Sequence, residues 1–79
     1  MYDNNKTLIK IKNPNTQHID VKLYDIIGRE VATLKNEMLF AGDHTIDVRK
    51  ESQMQLNAGQ YVYRISTGNQ NYSRSMIIR

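Results

Sequence analysis

Apolar and polar residues alternate with a period of two through most of this chain, the pattern of strands with one face buried. The clearest stretch is Asp20 to Leu34, D-V-K-L-Y-D-I-I-G-R-E-V-A-T-L. Val21 and Leu23 are separated by Lys22, and Val31 to Leu34 begins a second apolar run after Asp25-Ile26-Ile27-Gly28. Gly28 reaches positive φ without steric penalty, so the chain can reverse there. A β-hairpin results, and the remaining strands are expected to cover its apolar face.

The same reading extends in both directions. Thr7 to Lys12 alternates, with Ile9 and Ile11 inward and Lys10 and Lys12 outward; lysines on a short terminal strand also discourage edge-to-edge pairing. Asn13-Pro14-Asn15-Thr16-Gln17 is a turn by composition. The strand from His18 or Ile19 to Asp25 places Ile19, Val21 and Leu23 on one face. The next runs from Arg29 to about Lys35; a bulge near Ala32-Thr33 would set Val31 and Leu34 on the core side. Met38-Leu39-Phe40 is expected to form a short strand or a loop plugging one end of the core, with Phe40 in a core role. Gly42-Asp43 marks a turn, and His44 to Arg49 alternates with Ile46 and Val48 inward. Lys50 to Ala58 reads as a crossing loop anchored by Met54 and Leu56. Gln60 to Ser66 is rich in aromatic and β-branched residues, with Tyr61 and Tyr63 inward. Thr67 to Gln70 is a hairpin connection, and Asn71 to Arg79 is the last strand, with Tyr72, Arg74, Met76 and Ile78 on one face.

No long segment shows a helical period. Strands of this length, with turn signals roughly every eight to twelve residues, predict an all-β fold, an immunoglobulin-like or fibronectin III-like sandwich of about seven antiparallel strands. Leu56-Asn57-Ala58-Gly59-Gln60-Tyr61 has the setting of a tyrosine corner, in which the phenol binds upstream backbone. Residues 1–6 are polar and expected to fray, leaving 7–79 as one domain. A domain of 79 residues buries only roughly 60–65% of its unfolded surface, so its margin of stability is thin. There is no cysteine, so no disulfide supports it.

Charge adds little. The net charge is +3, from eleven basic and eight acidic residues without a basic block, which argues against nucleic acid as a partner. No apolar run approaches the about 18 residues of a membrane span, so stable membrane insertion is not expected. The first residues lack a signal-peptide core, so the chain either stays where it is made or is part of a longer secreted precursor.

No catalytic set emerges. His18 and His44 lack metal-binding spacing, and the aspartates lack that of a calcium loop. Neither a metal nor another cofactor is expected. Asp25 is expected to bond the turn backbone rather than calcium. Arg29-Glu30 reads as a solvated ion pair. No nucleophile elbow or phosphate cradle is present, so an enzyme is the least favoured class. Tyr61, Tyr63 and Tyr72 could make a platform for sugars, but Tyr61 and Tyr63 read as core.

The ordered pieces L-Y-D-I-I-G-R-E-V-A-T-L (Leu23–Leu34), A-G-D-H (Ala41–His44), L-N-A-G-Q-Y-V-Y-R-I (Leu56–Ile65) and S-R-S-M-I-I-R (Ser73–Arg79) resemble the type A C-terminal sorting domain of the Bacteroidetes type IX secretion system. The resemblance covers nearly the whole chain from Thr7. It implies an immunoglobulin-like sandwich that performs no chemistry and serves as an address on a larger secreted or cell-surface protein. The cargo would enter the periplasm by a separate signal peptide. Its domain would then be recognised by the outer-membrane translocon and, in many members, removed by a sortase-type protease that attaches the cargo to a lipopolysaccharide anchor. A monomer or weak oligomer is expected.

Carried over by position, Asp25, Gly28 and Arg29 match the family's turn, Gly42 and His44 its A-G-x-H piece, and Gly59 and Tyr61 its G-x-Y piece. Arg74, Met76, Ile77, Ile78 and Arg79 match the terminal strand associated with export and are the expected partner-recognition residues. The family's Asn-Pro pair before the first strand is not matched, since Asn13-Pro14 falls after it; the chain is therefore expected to begin just inside the family's boundary. A second resemblance, to the immunoglobulin-like domain of flagellar hook-capping proteins, implies a structural or adhesion module. That family's Trp-Asp-Gly segment has no counterpart, because this chain contains no Trp.

Overall fold

The computed structural model describes residues 8–52 and 56–78. In chain order the elements are β1 (Leu8–Asn13), β2 (Gln17–Asp25), β3 (Glu30–Leu39), β4 (Gly42–Asp47), the short helix α1 (Val48–Ser52), β5 (Gly59–Ser66) and β6 (Asn71–Ile78). β1 and β4 form one antiparallel sheet, and β3-β2-β5-β6 form the other. The all-β sandwich expected from the alternation is therefore present, with six strands among the described residues where about seven were expected. Part of the span read as a crossing loop, Lys50 to Ala58, is instead the end of α1. Of its two expected anchors, Leu56 is buried and Met54 lies outside the described residues.

Alternation sets the core. Ile9 and Ile11 of β1 face Ile19, Val21 and Leu23 of β2, and Ile46, Val48, Leu34, Leu56 and Ile78 complete the buried cluster. Sealing such side chains from water contributes roughly 1.5–3 kcal/mol each. The hairpin forms as expected, with β2 and β3 antiparallel. Its register slips twice, at Leu34 and at Val31, on either side of the Ala32-Thr33 position expected for a single bulge. The effect is the expected one: Leu34 is buried and Val31 packs against the core.

β3 continues past Lys35 to Leu39. Beyond its first register shift, Lys35 and Glu37 stand opposite Val21 and Ile19 and so share the core-facing side of this edge strand. The Lys35 ammonium lies 3.1 Å from Glu37 and 3.9 Å from Glu51 of α1. Charges turned inward on an edge strand deter pairing with another molecule, and here they also fasten α1 to the sheet.

Phe40 does not enter the core; it is 78% exposed. Met38 pairs with His18 on the outer face, Leu39 falls on the inner face, and the chain leaves the sheet at Phe40. The backbone of Phe40 turns inward in place of its ring. Buried Asn13 donates from Nδ2 to the carbonyls of Leu39 (3.1 Å) and Phe40 (3.0 Å) and accepts from Gln17 Nε2 (2.8 Å). Apolar content alone suggested a core ring, and the hydrogen-bonding needs of the crossover decided otherwise.

Candidate recognition surface

The β2–β3 turn is built around one carboxylate. Asp25 Oδ1 accepts from the backbone N–H groups of Ile27 and Arg29, each at 2.9 Å, and Oδ2 accepts from Arg29 Nε at 2.9 Å. Donation by the Arg29 N–H is the largest cause holding the Asp25 carboxyl below its ordinary value; the guanidinium and the Ile27 N–H add to it, and partial desolvation opposes. Gly28, at φ +100°, closes the turn. Arg29 thus pairs with Asp25 rather than with Glu30, as sequence adjacency suggested, and Glu30 lies 3.6 Å from Lys22. A residue and its immediate neighbour point to opposite faces of a strand, whereas the turn folds Arg29 back onto Asp25.

The tyrosine corner is present. The Tyr61 hydroxyl donates to the Asn57 carbonyl at 2.7 Å, and Gly59 opens β5 beside Ile78. In the Ala41–His44 piece, Gly42 sits at φ +127° and His44 Nε2 lies 2.6 Å from the Phe40 carbonyl, so this ring nitrogen carries the proton. The motif glycines and His44 therefore shape two turns and a crossover. No group of three metal-ligating side chains lies together among the described residues.

Among the described residues β6 pairs only with β5 and is an edge strand. Burial rises along its inner face: Tyr72 is 51% exposed, Arg74 is exposed, Met76 is half-buried, and Ile78 is fully buried. Ile77 points the other way and is 61% exposed. Of the residues expected to meet a partner, the folded domain thus displays Arg74 and Ile77, turns Ile78 into the core, and packs Met76 against it; Arg79 lies outside the described residues.

Two further residues join this end of the sheet. Asp25 is paired with Tyr61, and Tyr61 with Met76, so the β2–β3 turn and the end of β6 lie at the same end of the sheet, with β5 between them. Ile26 and Ile27 at the turn tip are 71% and 75% exposed. With Ile77 they give this end three displayed isoleucines, more than a turn needs for its own stability. Two adjacent apolar residues inside D-I-I-G were the available signal, and turn composition masked it.

A comparison with curated proteins returns no match. Residues 3–79, nearly the entire chain, match the family model described as a secretion system C-terminal sorting domain. That family supplies the sorting signal of type IX secretion, carried by secreted or cell-surface proteins. On this match, with the two-sheet sandwich and tyrosine corner already seen, the chain belongs to the type IX secretion C-terminal sorting domain family.

Proposed function

We propose that this domain directs a larger protein through the outer-membrane translocon, with a sortase-type protease then removing it and attaching the cargo at the cell surface. The family match over residues 3–79 carries the reading. The surface in contact with the machinery is the end of β6, where Arg74, Ile77 and Arg79 approach the partner while Met76 and Ile78 hold the strand in place. The exposed Ile77, at the same end of the four-stranded sheet as the exposed Ile26 and Ile27, supports this assignment. The domain acts by being bound and contributes no reacting group.

The test is a periplasmic reporter carrying residues 7–79 at its C-terminus, expressed in a bacterium with a working type IX system. The reporter should reach the medium or the cell surface, and Ile77→Asp should trap it in the periplasm with the domain still folded. A folded wild-type fusion that remains periplasmic would refute the function. Normal export of the Ile77→Asp fusion would refute the surface.

A further inference from the structure

The two sheets are unequal, and the smaller leaves part of the larger uncovered. α1 follows β4 and packs on β3, which places the β4 side of the two-stranded sheet over β3 and the β1 side toward β5 and β6. The inner row of β2 (Ile19, Val21, Leu23) is sealed, the inner row of β5 (Tyr61, Tyr63, Ile65) is only half-buried, and the start of β6 is open at Tyr72 and Arg74. A cleft of about 780 Å³ occupies the gap.

The walls of this cleft differ in kind. β5 and β6 line it with alternate residues, Tyr63 and Ile65, then Tyr72 and Arg74, as a strand does when it presents a face. β1 and the turn after it line it with six consecutive residues, 10–15. Since successive side chains on a strand point to opposite faces, a consecutive run presents its edge. Among the described residues β1 is hydrogen-bonded on one side only, to β4, so the edge beside the cleft has no strand partner among them. An open strand edge above an uncovered, partly aromatic sheet face is the geometry that accepts an added strand.

We propose that the cleft binds an extended acidic peptide segment of another protein, which adds to β1 as a third strand and completes the smaller sheet. Inward side chains of the peptide would rest on Tyr63, Ile65 and Tyr72, and an inward carboxylate would meet Arg74. Outward carboxylates would flank Lys10 and Lys12, which stand exposed on the outer face of β1. Lys10, Lys12 and Arg74 have no ion-pair partner within 4.0 Å among the described residues, and against these three cations the cleft lining carries one acidic residue, Asp43. A second copy fits poorly, because edge-to-edge pairing of two β1 strands would bring four lysines together. This surface excludes the displayed isoleucines but shares Arg74 with the β6 surface proposed above, and its test does not depend on export.

The experiment titrates the full chain into a fluorescein-labelled peptide in which glutamate alternates with valine and one of the valine positions also carries glutamate, so that one carboxylate can face inward; the same peptide with lysine in place of every glutamate is the control, and both are read by anisotropy. Amide NMR shifts of the unlabelled mixture map the site. The glutamate peptide should bind, more weakly as salt rises, with shifts concentrated at Lys10–Asn13 and Tyr72–Arg74. Arg74→Glu and Tyr72→Ala, both at exposed positions, should each weaken binding by roughly tenfold without changing Tm. No binding, equal binding of both peptides, shifts confined to β3 or to the outer face of β6, or indifference to both substitutions would overturn the proposal. So would sedimentation showing a dimer joined through β1, or NMR contacts placing the chain's own residues 1–7 in the cleft.

Discussion

The side-chain amide of Asn13 donates to the Phe40 carbonyl across 3.0 Å, joining the end of β1 to the point where the chain passes from one sheet to the other. The same amide nitrogen reaches the Leu39 carbonyl, and Asn13 is only 4% exposed. Ladders join strands within each sheet and the apolar core joins the two layers, so this buried amide adds a polar tie between them. Asn13→Ala would leave two carbonyls without their donor and should cost about 2–3 kcal/mol. Urea titration of the variant against the parent measures it, and a change below about 0.5 kcal/mol would show that water replaces the amide freely.

Phe40 itself should be dispensable for folding. Its ring is 78% exposed, so Phe40→Ser is expected to change stability by no more than about 0.5 kcal/mol. A loss of several kcal/mol on thermal or urea unfolding would place the ring in the core after all.

Tyr61 separates two contributions. Tyr61→Phe removes the bond to the Asn57 carbonyl and keeps the ring, for a loss of about 1 kcal/mol. Tyr61→Ala also removes the half-buried ring that packs against the core and should lose roughly 2–3 kcal/mol, below the range of a fully buried aromatic but a large share of the stability of so small a domain. Equal losses from the two substitutions would mean that the ring contributes nothing.

Ile77 and Ile78 are neighbours with opposite fates. Ile78→Ala opens a cavity beneath a fully buried side chain and should cost about 2–4 kcal/mol, while Ile77→Ala should cost less than about 0.5 kcal/mol. The reverse order in a denaturant titration would shift the register of β6 by one residue.

Asp25 makes stability depend on pH in a defined direction. Its carboxyl is held below the ordinary aspartate value of about 3.9, so the unfolded chain takes up a proton before the folded one does. The stabilisation is therefore complete above that value and is lost as pH falls through the lower folded value. Asp25→Asn should narrow the gap between melting temperatures at pH 7 and pH 3 relative to the parent, as followed by circular dichroism. An unchanged gap would show that the turn bonds survive protonation.

Much of this fold was legible along the chain because strand alternation is a local property. Ile9 with Ile11, and Ile19 with Val21 and Leu23, turned inward as their spacing required; Ile46 and Val48 are both buried too, but the strand read as running to Arg49 ends at Asp47 and Val48 opens α1. The Asp25–Gly28 turn and the bond from Tyr61 to upstream backbone were legible too, since each joins residues within four positions of one another. The family match itself rests on such short pieces in order.

What the tertiary structure alone decided involves residues far apart. Phe40 faces water because Asn13, 27 positions earlier, takes its carbonyl. Lys35 turns toward the core because two register shifts in β3 and the arrival of Glu51 place a partner there. Ile77 comes to the same end of the sheet as Ile26 and Ile27 through the pairing of Asp25 with Tyr61 and of Tyr61 with Met76. Local sequence sets which way each side chain alternates; which strands become edges, and which apolar residues remain uncovered, depends on how many strands each sheet collects.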